Sequence, residues 1–283
     1  MRNIALFCNP TAHKQKAQNI AKQIGEQLKT KCISYTTFTE KWPENFEGFT
    51  DAWIIGGDGT INYFINKYPD INLPLSIFAG GTGNDFQWML YGKITVEEQV
   101  EKLLNSKPKK VDAGICNGKL FLNGIGLGFD GAIISDLQGK KKFSGKTSYM
   151  ISILKNLLFF REKNCALTIG ETKTAEQVFM ISIMNTRRVG GGYHVTPKAE
   201  INDGLFDVNL VTKVSLLQRM RYMPVIEKGK HLDKNIPFLK YLKTNKIILE
   251  SETEMSGQRD GEFITGKRFE IECKPEKFNF IYC

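Results

Sequence analysis

The chain has 283 residues, of which 41% are hydrophobic and 24% charged, with a formal net charge of +9. That length holds one large or two modest domains, and the composition is that of a folded globular protein rather than a low-complexity chain. The excess of Lys and Arg suits an anionic partner (ATP, an anionic membrane surface or nucleic acid) or a simple solvated basic surface. Six cysteines, at 8, 32, 116, 165, 273 and 283, contain no CxxC pair and read as reduced cytoplasmic thiols, not as a disulfide framework or zinc site. The apolar residues 4–8 before Asn9-Pro10 are too few for a signal-peptide core, and no run approaches the ~18 apolar residues of a membrane-spanning helix.

In chain order, a strand is predicted at 3–8, ended by Asn9-Pro10-Thr11, then a polar helix at 14–28 and a β-rich run at 32–38. Residues 52–55 form a short apolar strand bounded at once by Gly56, Gly57 and Gly59. Glycines there free the backbone for turn conformations and let main-chain N–H groups approach an anion closely. Thr60 is placed to cap a helix over 61–65, so that a strand, a glycine turn and a helix N-terminus together make a phosphate site. Asp58 is the odd residue: a carboxylate beside a phosphate repels it unless a cation lies between, which asks for Mg2+ with the nucleotide. A second strand at 75–79 is followed by Gly80, Gly81, Thr82, Gly83, Asn84 and Asp85. Two such turns one β-α unit apart open on the same edge of a parallel sheet.

With GGDGT followed by GGTGND, the chain resembles the catalytic domain of bacterial diacylglycerol kinases and related lipid kinases, which share a superfamily with sphingosine kinases and NAD kinases. The resemblance implies a nucleotide site made by Asn9, Pro10 and Thr11, by Thr39 of Thr39-Glu40-Lys41, by Gly56, Gly57, Asp58, Gly59, Thr60 and Asn62, and by Gly81, Thr82, Gly83 and Asn84. The family's first turn usually carries a small residue and a glycine where this chain has Ala12-His13, which leaves His13 as an exposed helix-start residue. Thr39 reads equally as a helix N-cap.

Beyond a helix at 96–104, residues 109–112 lead into a hairpin around Asn117-Gly118, and Asp112 matches a family aspartate given a supporting role at a cleft. Gly126, Gly128 and Gly131 form a formal GxGxxG, rejected as a dinucleotide site because residues 146–158 lack the acidic residue it needs. In the family these glycines line the cleft. The P-loop-like stretch 139–147 is rejected too, having five residues rather than four between its glycines and no strand before it. Residues 149–160 are the most apolar stretch, flanked by Lys140, Lys141, Lys142, Lys146, Arg161 and Lys163. They read either as a buried helix or as a helix for a membrane surface.

The rest is β-rich, with strands predicted at 165–169, 177–184, 206–211, 246–250 and 269–273 and a helix at 215–223 stopped by Pro224. Arg187 and Arg188 read as contacts to phosphates or a lipid head group, or as solvated. By resemblance, the Asp203-Gly204 turn holds Mg2+ through Asp203 and main-chain oxygens of Glu200 and Leu205; a plain hairpin aspartate is the alternative. His231 is read as structural or substrate-side. In Asp260-Gly261-Glu262, the resemblance makes Glu262 the base that deprotonates the acceptor hydroxyl, with Asp58 on the phosphoryl side.

The expectation is an α/β chain of two domains with a cleft between them. Residues 1–123 plus 274–283 form the nucleotide-binding domain with a parallel sheet, and 124–273 form a β-rich, sandwich-like substrate domain. The expected activity is ATP- and Mg2+-dependent phosphorylation of a lipid alcohol, foremost diacylglycerol giving phosphatidic acid. The enzyme would be cytoplasmic and meet its substrate peripherally at a membrane surface; a homodimer is compatible with this. The alternatives are an NAD kinase, which keeps GGDG but needs neither GTGND nor a late DGE, and a basic nucleic-acid-binding protein. Against the last, the chain shows no recognition helix, zinc finger or RRM signature.

Overall fold

The computed structural model of the chain describes residues 2–9, 14–137 and 146–282, with side chains at all of these except 14–15 and 146–149. Pro10, Thr11 and His13, the lysines at 140–142 and the side chain of Lys146 therefore lie outside the described residues. The chain divides into two compact units, Met1–Ala113 with Pro275–Cys283, and Gly114–Lys274.

The first unit contains β1 (Asn3–Cys8), α1 (Lys14–Thr30), β2 (Ser34–Phe38), β3 (Asp51–Gly56), α2 (Asp58–Lys67), β4 (Leu75–Ala79), α3 (Asp85–Tyr91) and α4 (Val96–Asn105). Its strands lie parallel in the order β2-β1-β3-β4. Parallel strands covered on both faces must be apolar throughout, and β3 is buried at every position. Alternation then divides the strand residues between two layers. Ile4, Leu6, Trp53 and Ile55 pack under α1 and α4, against Ile24, Leu28, Val100 and Leu103. Phe7 points the other way, into rings from β2, the 39–50 loop and α2: Phe38, Trp42, Phe46 and Phe64. Gly56 is the register partner of Ala79, so the turns after β3 and β4 leave the sheet side by side. Thr60 is not the cap of α2. The helix starts at Asp58 with Gly57 as its N-cap, because the glycine turn is shorter than predicted and Thr60 falls in the first helical turn.

β5 (Pro108–Cys116) leads from the first unit into the second, where it forms a hairpin with β6 (Lys119–Phe121). Asn117 and Gly118 both have positive φ (47° and 82°), as a two-residue hairpin turn requires. There follow β7 (Gly124–Gly128), α5 (Phe129–Leu137), α6 (Lys146–Phe159), β8 (Lys163–Ile169), β9 (Thr172–Val178), β10 (Met180–Met184) and β11 (Phe206–Val211). The chain continues with α7 (Leu216–Glu227), β12 (Leu239–Thr244), β13 (Lys246–Arg259) and β14 (Glu262–Ile281). Antiparallel pairing gives the order β12-β11-β10-β7-β13-β14. A register shift between Glu250 and Met255 bends β13. Its first half pairs with the β8-β9 hairpin and its second with β7, so one strand serves two walls around Phe121, Leu127, Val208 and Leu249. A second apolar layer lies beneath α5, α6 and α7.

Three local predictions are revised. The strands at 246–250 and 269–273 are parts of one long hairpin, β13-β14, with Asp260-Gly261 at its tip. The apolar 177–184 run is two strands, β9 and β10. Pro224 does not stop α7, which runs to Glu227. The donor that proline lacks would have faced the carbonyl of Met220, an exposed residue whose carbonyl water can satisfy. The final strand does return to the first unit, where Phe280 of β14 pairs in parallel with Leu75 of β4. Among the described residues every cysteine is free and no helix is long and apolar enough to cross a membrane.

Candidate active site

In the first unit the two glycine turns touch backbone to backbone. The Gly80 N–H donates to the Gly56 carbonyl at 2.8 Å. A Cβ on Gly81 would stand 2.5 Å from the Gly57 Cα, and one on Gly80 would stand 2.9 Å from the Gly56 Cα. No side chain fits between the bends. Asp58 fastens them further: its carboxylate oxygens accept the main-chain N–H groups of Asp85 (3.1 Å) and Phe86 (3.0 Å), capping α3 from the neighbouring turn. Asn84, held at a left-handed φ of 52°, closes its own turn by exchanging two hydrogen bonds of 2.8 Å with the Gly81 backbone. Gly59 behaves differently, since a Cβ there would meet nothing within 4 Å. It lies in the first turn of α2, whose N-cap glycine has no side chain with which to cap the helix.

Asn9 reaches this region from the end of β1, its amide donating to Thr60 Oγ1 at 3.3 Å. Asn62 is buried in α2 and accepts from the Asn66 amide, so its side chain does not face the surface. Thr82 and Gly83 stand on the second turn. Thr39 is exposed, and with Asn9 it borders a surface pocket of about 460 Å³ completed by Glu40, Trp42, Tyr63 and Lys67. The Trp42 and Tyr63 rings meet edge to face at 5.3 Å, and the Lys67 ammonium lies 5.9 Å from the Trp42 ring centre. The sequence reading passed over these three residues; their one signal was Tyr63 and Lys67 four apart on a helix that starts at the glycine turn.

In the second unit, Asp260 and Glu262 have opposite fates. Asp260 is buried, at a φ of 47°, and its carboxylate accepts the main-chain N–H groups of Leu122 (2.8 Å), Asn123 (2.9 Å) and Gly124 (3.0 Å). It fixes the tip of the β13-β14 hairpin. Glu262, the next residue but one, has a side chain 49% exposed and pairs with Arg259 at 3.3 Å.

The Asp203 turn leads into β11, whereas Glu262 opens β14. Register runs from Glu262 to Arg259, Ile125, Ile183 and Val208, four strand spacings or roughly 19 Å along the sheet. Asp203 Oδ1 accepts the Leu205 N–H at 3.1 Å, and its Oδ2 holds the Lys243 ammonium at 2.6 Å. That hydrogen bond raises the Lys243 pKa. Fully buried Asp207 beside it is pushed up by desolvation and takes the Tyr241 hydroxyl at 2.6 Å. A divalent ion at Asp203, with the exposed Glu200 and Leu205 supplying oxygens, would have to displace the ammonium or share its oxygen. Among the described residues no three His, Cys, Asp or Glu side chains converge to hold a metal.

Other sequence candidates are buried or engaged by the main chain. Asp112 is buried and accepts the Glu276 N–H at 2.8 Å. His231 is fully buried, which lowers its pKa. Arg187 is exposed and donates to the Ala199 carbonyl. Gly126, Gly128 and Gly131 are filled from within their own unit: a Cβ would strike Asp130, the Phe179 carbonyl and Gly257 respectively. A strand followed by a helix does frame them, but packing uses the space a dinucleotide would need. Asp130 itself was missed. Burial pushes its carboxyl up to about 6, and it edges an apolar seam lined by Ile153, Leu157, Phe179 and Tyr222 with only about 50 Å³ of free volume.

Residues 3–116 match the model of the diacylglycerol kinase catalytic domain, and residues 123–282 match that of the YegS C-terminal NAD kinase beta sandwich-like domain. The chain is 26% identical over 212 residues to a diacylglycerol kinase of Bacillus subtilis (strain 168), covering 74% of this chain and 69% of that one. It is also 26% identical over 228 residues to a protein of Pectobacterium atrosepticum named "Probable lipid kinase YegS-like", covering 78% and 74%. The crystal structure of a diacylglycerol kinase from Bacillus anthracis str. Sterne superposes with a TM-score of 0.77 at 21% identity, over 100% of this chain and 97% of that one, a likeness of fold.

Three outcomes test this geometry. Gly81→Ala lowers unfolding free energy by about 1–3 kcal/mol, because its methyl has no room, whereas Gly59→Ala leaves stability unchanged or raised; urea unfolding separates the two. Asp260→Asn costs about 3 kcal/mol by the same measurement, because it loses a charged acceptor for buried N–H groups, while Glu262→Gln stays within about 0.5 kcal/mol. For Asp130, a folded-state pKa raised to about 6 means stability is full below the unfolded value near 4 and falls as pH rises through 6. Unfolding at pH 4.5 and 7.5 therefore shows Asp130→Asn gaining on wild type as pH rises, by at most about 3 kcal/mol.

Proposed function

The chain belongs to the family of diacylglycerol kinases and YegS-like lipid kinases and is a lipid kinase, and from that premise we propose that it transfers the γ-phosphoryl group of ATP to the hydroxyl of a lipid alcohol, foremost diacylglycerol. The family implies a nucleotide substrate and usually a divalent metal. One observation carries the nucleotide half: two interlocked glycine turns with open space at Gly59, over a helix whose N-cap has no side chain. Asn9, Thr60 and the Gly81–Asn84 turn complete the phosphate side. The pocket of Trp42, Tyr63 and Lys67 beside Asn9 and Thr39 suits a planar base. Pro10 and Thr11 follow Asn9 in the same proposal.

The acceptor half rests on Glu262. Its carboxylate takes the hydroxyl proton as the oxygen bonds to the γ-phosphorus; the bond from phosphorus to the bridging oxygen breaks and ADP leaves. Asp260 acts through the turn it anchors and is a positioning residue. Magnesium bound with the nucleotide would offset charge on the phosphoryl oxygens, and the Asp58 carboxylate would be an oxygen donor toward it. An ion at Asp203 would be structural, because β11, the strand that turn leads into, is four strands along the sheet from Glu262.

The test is transfer of labelled phosphate from ATP to a panel of lipid alcohols, with NAD as an added acceptor. Wild type is expected to label diacylglycerol in a Mg2+-dependent way, with Glu262→Gln slower by about 10²–10⁴-fold at unchanged stability. Labelling of NAD alone, or equal rates for the variant, overturns the proposal.

A further inference from the structure

Nine large apolar side chains are substantially exposed among the described residues, and eight of them lie on two helices. On α6 these are Met150, Ile151, Leu154, Leu158 and Phe159, the last 74% exposed. On α7 they are Leu216, Leu217 (80%) and Met220 (60%). The α6 positions recur at i, i+1, i+4, i+8 and i+9, one stripe of the helix, while Ile153 and Leu157 on the opposite side are buried in the apolar layer. A helix apolar on both sides is covered on both sides in its working state.

The two exposed stripes are neighbours. Arg219 of α7 donates to the carbonyls of Leu157 (3.0 Å) and Phe160 (2.8 Å) at the end of α6, and to Glu162 at 2.8 Å. That stapling joins the C-terminal end of α6 to the first turns of α7. Exposed cations rim the junction: Arg161, Lys213 and Arg221. Two of the nearby acids are already engaged, Glu162 by Arg219 and Asp136 by Lys155, and exposed Glu227 stands at the far end of α7.

We propose that the outer faces of α6 and α7 form one docking surface for an anionic lipid bilayer, lying in its interface with the aliphatic and aromatic side chains inserted and Arg161, Lys213 and Arg221 against the head groups. The choice of a bilayer rests on the lipid-kinase reading and on charge. A second copy of the chain docked here about a two-fold axis would set these cations against themselves, whereas anionic lipid neutralises them. Neither helix can cross a bilayer, so the contact is interfacial. The same two helices wall the narrow apolar seam on their inner side. A chain leaving the bilayer would enter there only if the helices part, because the closed seam has room for little more than one or two waters.

The test is co-sedimentation of the full chain with vesicles of phosphatidylcholine alone or with added phosphatidylglycerol, without ATP. Wild type is expected to bind the anionic vesicles, Leu217→Glu with Phe159→Glu to bind at least roughly tenfold more weakly, and Arg161→Gln with Lys213→Gln and Arg221→Gln to lose the preference for anionic lipid. Both variants change exposed side chains, and an unchanged melting curve confirms that they fold. Binding unaffected by the double glutamate variant overturns the proposal. So does a wild-type dimer in light scattering that the same variant dissociates, with no vesicle binding. Vesicle binding without transfer to any lipid would instead defeat the kinase reading and leave this surface standing.

Discussion

Two main-chain bends pressed together, with no side chain between them, are the contact on which the first unit depends. Strands β3 and β4 run parallel and in register, so their ends arrive at the same edge a single strand spacing apart. At that distance a Cβ on either bend collides with the other, and glycine is required by the protein itself. Asp58 then spends both carboxylate oxygens on the helix beyond the second bend. The bends thereby become one rigid body. In the proposed nucleotide site a phosphate would meet N–H groups already in place, so little ordering would remain to be done on binding.

The second unit obtains rigidity from a buried carboxylate. Burying Asp260 without partners would be prohibitive, and three main-chain N–H groups make it favourable. The cost of its left-handed backbone is covered by those bonds. The acidic residue two positions on can then be exposed and still be held at a defined place, because the strand that begins with it grows out of a fixed tip. A base must be reachable by its substrate and yet not wander; in the proposed mechanism Asp260 would supply the fixity and Glu262 the chemistry.

What the sequence disclosed follows the range of the interactions concerned. Short apolar runs ended by glycine were legible as strands because turn chemistry is local, and so was the Asn117-Gly118 hairpin. Glycine's reason was only half legible. In GGDGT the glycines read alike, but Gly57 is set by a neighbour 24 positions on and Gly59 by open space. Gly126, Gly128 and Gly131 imitate a nucleotide loop in sequence and turn out to be packing against Asp130, Phe179 and Gly257. The partners of Asp58 and Asp260, and the Lys243 that pairs with Asp203, are likewise far along the chain, and no spacing rule announces them. Pro224 was misread because a proline inside a helix is disfavoured, not forbidden, and α7 continues through it to Glu227.

Residues 149–160 left two readings open, burial or a membrane surface, and burial accounts for only one stripe of the helix. Its inner stripe is covered by the protein's own apolar layer, and its outer stripe is not. A soluble helix of this length ordinarily turns charge outward, and here Lys155 is the one charged side chain between residues 150 and 159. Each exposed leucine or phenylalanine forgoes on the order of 1.5–3 kcal/mol of burial. The eight large apolar side chains exposed on the two stapled helices, two methionines and an isoleucine among them, are a standing cost to the chain in water. That cost is recovered only when something apolar covers them. For an enzyme whose substrate is dissolved in a bilayer, the covering layer and the source of substrate are the same material.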